Sequence, residues 1–229
     1  NPSRRVSVKT IVVVAPHPDD ETLGCGGTLL RHRAEGDNIH WLVATSMSSE
    51  RGFATDRIAK RDQEIRDVAA RYAFTEVHQL GLEPTRLDVL PIGDLVGAIS
   101  AVFRRIEPEV VYLPYRNDVH TDHAAVFDAT VACTKWFRYP SIRRVLAYET
   151  LSETDFSLNP DGAAFRPNVF VDITAYLDEK VALMRCFESE SGVHPFPRSE
   201  TSLRALAQLR GAASGFEAAE AFMLLRERA

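Results

Sequence analysis

At 229 residues, 45% of them hydrophobic and 26% charged, the chain has the size and apolar content of one large folded unit over residues 1–229. A formal net charge of -5 argues against a nucleic-acid partner, and no stretch reaches the length of a membrane span. Three scattered cysteines, Cys25, Cys133 and Cys186, form no disulfide framework, and no signal-like run precedes His17, so the expected location is cytoplasmic.

Residues 1–9 are polar and read as an arm. The β-branched run Ile11 to Val14 predicts a buried strand over 10–15. Pro16 and Pro18 end it, because neither can donate to a sheet ladder. The turn that follows carries His17, Asp19, Asp20 and Glu21. Three acids on one turn repel each other unless a cation or a donor network offsets them, and His and Asp are good zinc ligands. A helix is expected from Thr22 to Ala34, with Leu23, Leu29, Leu30 and Ala34 inward. Gly24, Gly26 and Gly27 near its start permit close approach of helix to sheet, or of a ligand to backbone. They do not complete a dinucleotide fingerprint, since Leu29 stands where the third glycine belongs and no acid closes the next strand.

Gly36-Asp37-Asn38 is a turn, Ile39 to Thr45 a second strand, and 46–55 a polar loop at its carboxyl end. Asp56 to Tyr72 is an amphipathic helix with Ile58, Ile65, Val68, Ala69 and Tyr72 on one face; Arg61 and Glu64, three apart, suit a surface ion pair. Strand three is Glu76 to Leu80. A third helix starts at Pro91 and carries Ile92, Leu95, Val96, Ile99, Phe103 and Ile106. Strand four, Val110 to Leu113, ends at Pro114, and the loop after it holds Asp118, His120, Asp122 and His123 before a helix over Asp122 to Trp136. Strand five is Arg143 to Glu149, where Glu149 is a candidate to bind a substrate hydroxyl or amine. A polar loop 152–168, a strand Asn168 to Ile173, a helix 175–187, a loop 188–198 with the lone His194, and a helix from Ser199 to Arg210 follow. The run from Glu217 to Arg226 suits an edge strand or a last helix. The alternation predicts an α/β fold, a Rossmann-like, mostly parallel sheet with helices on both faces, with core 10–150 and a C-terminal extension 151–229 shaping the pocket.

In such a sheet, strands one and four can be neighbours across the topological switch point, and both His/Asp clusters would then open into one crevice. His17, Asp20 and His123 make a two-His, one-carboxylate set that leaves a position for water. Asp19 is then free as general base. His120 is left to stabilise an oxyanion or to protonate the leaving group, and Asp118 or Asp122 to orient an imidazole. Glu21 serves the helix dipole. The donor set suits zinc and accepts iron or cobalt.

Ala15-Pro16-His17-Pro18-Asp19-Asp20-Glu21 resembles the signature of the LmbE-like, or PIG-L, de-N-acetylase family, with Pro16 interposed in the usual AHPDDE. His120-Thr121-Asp122-His123 is similar to its second motif, with Thr121 where proline is common. The resemblance covers residues 10–150 well and implies zinc on His17, Asp20 and His123, Asp19 as base and His120 as transition-state stabiliser. It turns Arg61 towards the substrate, and lets the region of His194 close the pocket, in some members across a homo-oligomer interface. The implied reaction is hydrolysis of the N-acetyl amide of a small-molecule sugar or conjugate. Rivals are an amidase on a thiol conjugate, another metal hydrolase such as a phosphoesterase, and an inactive metal-containing binding module.

Overall fold

The computed structural model describes residues 7–229, so most of the expected N-terminal arm lies outside the described residues. Seven strands form one sheet: β1 Thr10–Ala15, β2 Asn38–Thr45, β3 Glu76–Leu82, β4 Val110–Pro114, β5 Arg144–Tyr148, β6 Val169–Asp172 and β7 Ala219–Glu227. Their order is β3-β2-β1-β4-β5-β7-β6. The first five are parallel, and β7 runs antiparallel to both of its neighbours. The expected mostly parallel α/β sheet is therefore present, with β1 beside β4.

The alternating side chains of β1 explain why both faces are covered. Ile11, Val13 and Ala15 point to one side with Ile39, Trp41 and Val43. Val12 and Val14 point to the other with Leu42 and Val111. Helices α1 (Asp20–Glu35), α2 (Thr55–Tyr72) and α5 (Leu177–Met184) cover the first layer. Helices α3 (Ile92–Ile106) and α4 (Thr121–Ala132) cover the second. Helix α6 (Glu200–Ala212) packs through Leu203 and Ala207.

The last segment is a strand, and its position corrects the expectation of an edge: β7 pairs with β5 and β6, leaving β6 outermost. Its Glu220 makes the reason plain. The buried carboxylate accepts from the Gly27 N–H at 2.8 Å and from the Thr28 N–H and hydroxyl at 2.7 and 2.6 Å. Lys180 of α5 donates to Glu220 at 2.8 Å and to the Leu23 carbonyl at 2.9 Å. A buried acid with these partners is satisfied only inside the sheet, against α1. Gly24 and Gly27 take up the helix-to-sheet role. A Cβ on Gly24 would lie 2.2 Å from the Tyr148 ring, and one on Gly27 2.5 Å from Ile173. Among the described residues, no helix is long and apolar enough to cross a membrane.

Candidate metal and active site

The first turn is pinned from the sheet. The Thr45 N–H and hydroxyl both donate to the Pro16 carbonyl, at 3.1 and 2.8 Å. The His17 N–H donates to Asp20 Oδ2 at 2.9 Å, and α1 starts at Asp20, two residues before the expected Thr22. Asp19 carries φ 134°, a conformation costly for a residue with a side chain. Its carbonyl takes the Thr22 and Leu23 N–H groups, and its own N–H donates to Glu21 at 3.0 Å. Glu21 is therefore more than a charge at a helix end. It is fully buried, accepts the Thr22 hydroxyl at 2.8 Å, and burial pushes its carboxyl up to about 8. Together these contacts hold the strained Asp19 peptide in place.

The second loop comes off β4 one strand away. His120 caps α4, its Nδ1 accepting the Asp122 N–H at 3.1 Å. His123 Nδ1 lies 2.7 Å from Asp118 Oδ2, and both side chains are wholly buried. Asp118 also accepts the Thr154 hydroxyl at 2.6 Å. Asp122 Oδ2 lies 2.9 Å from His17 Nε2, and its carboxylate accepts the Thr85 and Leu87 N–H groups at 2.7 and 3.1 Å. Each carboxylate therefore orients one imidazole: Asp118 that of His123, Asp122 that of His17.

The two loops meet. Donor atoms of His17, Asp20 and His123 lie within 4.8 Å of one another, and Asp20 Oδ2 is 3.3 Å from both His17 Nδ1 and His123 Nε2. His123 Nε2 is buried without a hydrogen-bond partner among the described residues, which is the signature of a lone pair kept for a ligand. With Asp118 on Nδ1, the tautomer leaves Nε2 as the free donor atom. The electrostatics agree with a cation site. Against the penalty of burial, hydrogen bonds to Asp122 and Asp20 hold the His17 imidazole up to about 9. Against the same penalty, Asp20 and Asp118 hold His123 well above the usual range. Asp20 is kept far below the ordinary carboxylate range by His123 and His17, although burial opposes it. Burial and the charges of Asp20, Glu190 and Glu21 push Asp19 well up. The carboxylates thus gather positive charge at one point, and the donor set fits a divalent metal with an open position.

His17, Asp19, Asp20 and His120 line a cavity of about 250 Å³ whose other walls come from the 45–47 segment, α2, the 84–85 segment, the 150–153 turn and the 188–198 loop. Arg61 lines it too, but not as one half of a surface pair. It sits on the same helical stripe as Ile65, Val68 and Tyr72, and is only 7% exposed. Its guanidinium donates to the Pro18 carbonyl at 3.0 Å, Ser189 at 2.9 Å and Glu190 at 2.6 Å, with Glu64 at 3.1 Å. Arg61 thereby ties the 16–19 turn to the 188–190 segment.

Two candidates lie elsewhere. Glu149 is held in a two-bond fork by Arg210, at 2.8 and 2.7 Å, and lines a separate small cleft against α6. It lines that cleft and not the His17 cavity. His194 is exposed on another cleft with Ser199 and Leu203. The loop does reach the cavity, but through Glu190 and Arg198. Glu190, Arg198 and Glu153 are cavity residues that no sequence motif singles out. A positive φ of 74° at Ser152 marks the tight turn that aims Glu153, and nothing in the residue pattern announces it.

Fold and donor set together define an α/β protein with a two-histidine, one-carboxylate centre at the switch point between its first and fourth strands. Residues 12–134 match the family model described as PIG-L, GlcNAc-PI de-N-acetylase, and the chain belongs to that family. It is 30% identical over 188 residues to the uncharacterized deacetylase YaiS of Escherichia coli K12, covering 79% of this chain and 91% of that one. It is 26% identical to the diacetylchitobiose deacetylase of Thermococcus kodakarensis, over 93% of this chain and 82% of the relative. The crystal structure of the conserved protein TT1542 from Thermus thermophilus superposes with a TM-score of 0.77 at 26% identity, covering 97% of each chain. The likeness also extends to a 4-oxalmesaconate hydratase of Pseudomonas putida, 24% identical over 80% of this chain and 74% of the relative.

Proposed function

We propose that this chain hydrolyses the N-acetyl amide of a small acetamido sugar or sugar conjugate, releasing acetate and a primary amine. Zinc is the first candidate cofactor, held by His17, Asp20 and His123. The observation that carries the reading is the unpartnered His123 Nε2 beside Asp20, with Asp19 on a strained turn facing the same cavity. Membership of a de-N-acetylase family supports the choice of amide.

A divalent metal bound there would polarise the acetyl carbonyl and make water acidic enough to ionise near neutral pH. Asp19, free of ligation, takes the proton of the attacking water. His120 Nδ1 accepts the Asp122 N–H, so a neutral His120 carries its proton on Nε2 and can donate it towards the developing oxyanion. Protonation of the nitrogen then releases the amine. Asp122 and Asp118 hold His17 and His123 in register for the metal.

A hydratase of an unsaturated dicarboxylate is the second reading, favoured by the likeness to the Pseudomonas enzyme. Against it, both cavity guanidiniums, Arg61 and Arg198, are already paired with Glu190. The test is product analysis on a panel: acetamido sugars, a thiol-conjugate amide, a phosphoester and an unsaturated dicarboxylate. Equal amounts of acetate and amine from the sugars are expected. Turnover confined to any other class, or stoichiometric metal with no turnover at all, overturns the reading. Three free cysteines support a cytoplasmic setting for it.

A further inference from the structure

We propose that Glu153 is a specificity-determining residue: its carboxyl accepts a hydrogen bond from a sugar hydroxyl and makes the cavity select a neutral N-acetylated glycoside over one carrying an anionic group. The inference rests on the deacetylase reading and names the substrate class it takes.

The placement of Glu153 is built, not incidental. Its carbonyl accepts the Val119 N–H at 3.1 Å, beside His120. The next residue, Thr154, donates to Asp118 at 2.6 Å, and Asp118 orients His123. On the other side, Arg198 donates to Ser152 at 2.8 Å, which joins the turn to the 188–198 loop. The turn is thus fastened both to the metal-side loop and to the opposite wall, with Glu153 between them lining the cavity.

Within this frame Glu153 Oε2 is buried and has no hydrogen-bond partner among the described residues. A buried acceptor without a donor is destabilising, so its presence in a ligand cavity calls for a donor brought by the ligand. The charge around it decides what kind. Arg61 pairs with Glu64 at 3.1 Å and with Glu190 at 2.6 Å, and Arg198 pairs with Glu190 at 3.2 Å, so two carboxylates balance the two cavity guanidiniums. An anionic substituent would meet Asp19, Glu153 and Glu190 with no unpaired guanidinium to receive it. A hydroxyl meets the acceptor it needs, and a site with a buried polar group of this kind rejects an analogue that lacks the partner.

The experiment compares the metal-loaded full chain and its Glu153→Gln variant on methyl N-acetylglucosaminide, its carboxymethyl counterpart, and the 3-, 4- and 6-deoxy methyl glycosides. Wild type is expected to favour the methyl glycoside over the carboxymethyl one by about tenfold or more. Glu153→Gln lowers kcat/KM on the methyl glycoside by about tenfold. On one deoxy analogue, the one missing the hydroxyl that Glu153 reads, the substitution has no further effect. A loss below twofold, or an equal loss on every analogue, overturns the proposal. The melting midpoint without substrate gives a second readout. Glu153→Leu, which removes the orphan acceptor, raises it by about 2–6 °C, whereas a structural role lowers it. If wild type releases amine from none of these sugars, the deacetylase reading fails. Glu153 is then judged on melting alone: a rise retains it as a ligand contact, and a fall overturns that too.

Discussion

Asp118 lies outside the proposed ligand set of His17, Asp20 and His123, yet its substitution has a calculable effect on metal binding. Its Oδ2 lies 2.7 Å from His123 Nδ1 and its Oδ1 2.6 Å from the Thr154 hydroxyl, and the His123–Asp118 pair is fully buried. The first contact places the imidazole proton on Nδ1 and so leaves Nε2 for the cation. Asp118→Asn keeps an acceptor but loses the charge that makes His123 a better donor atom. A weakening of metal affinity by about tenfold is expected, roughly 1.4 kcal/mol. Asp118→Ala removes both contacts, and the expected weakening is about 100-fold. It also leaves two buried donors unpaired, which lowers metal-free stability by about 2 kcal/mol or more and the melting midpoint by roughly 4–8 °C. The assay is competition for zinc against a chromophoric chelator, alongside turnover at limiting and saturating metal. Activity of Asp118→Asn is expected to recover at saturating metal. Unchanged affinity in Asp118→Ala, or a turnover defect that excess metal leaves untouched, would refute the tautomer argument.

Asp19→Asn is expected to retain stoichiometric metal while losing about 100-fold or more in kcat, because it removes the proton acceptor and leaves the three ligands in place; metal analysis and steady-state turnover on one preparation check this. Gly24→Ala drives a Cβ to 2.2 Å from the Tyr148 ring, and since the Tyr148 hydroxyl donates to the Val14 carbonyl at 2.8 Å the ring cannot simply withdraw. A loss of about 1–3 kcal/mol in chemical denaturation is expected. Stability should also fall in mild acid through a pair far from the catalytic turn. His40 Nδ1 lies 3.0 Å from His78 Nε2, while Arg105 approaches the other nitrogen of His78, and burial holds both imidazoles below their usual 6.5. The unfolded chain therefore binds more protons as pH falls through 6.5, and stability drops from there towards pH 5. A His40→Asn/His78→Asn double variant should show a flatter pH slope over that range; an unchanged slope would place the acid sensitivity elsewhere.

The sheet and the metal donors were legible because they are written locally. Short β-branched runs such as Val12 to Val14, closed by proline, read as buried strands, and a proline at the end of each of β1 and β4 marks where the chain leaves the sheet towards His17 and His120. Adjacency of those strands holds in one of the two common doubly wound orders, and the observed order β3-β2-β1-β4-β5 is the one that brings His17, Asp20 and His123 together. What depended on distant pairing was not legible. Arg61 reads as a surface cation by its charge, although its four- and seven-residue spacing to Ile65 and Val68 already placed it on the buried stripe. Glu149 stands at the correct end of its strand, but Arg210, 61 residues later, takes both oxygens. The run from Glu217 to Arg226 is equally apolar as an edge strand or an interior one. Only the partners of Glu220, at Gly27, Thr28 and Lys180, decide that β7 lies inside the sheet.

The proposed reaction requires a single metal held jointly by two loops, one from β1 and one from β4. It is tested most directly by stripping the protein with a chelator and restoring one equivalent of zinc, with acetate and amine release from an acetamido sugar as the readout, in wild type and in His123→Ala. Wild type is expected to lose turnover on stripping and to regain it with one equivalent, and His123→Ala to regain none. Turnover that survives stripping, or a His123→Ala variant restored as fully as wild type, would contradict it.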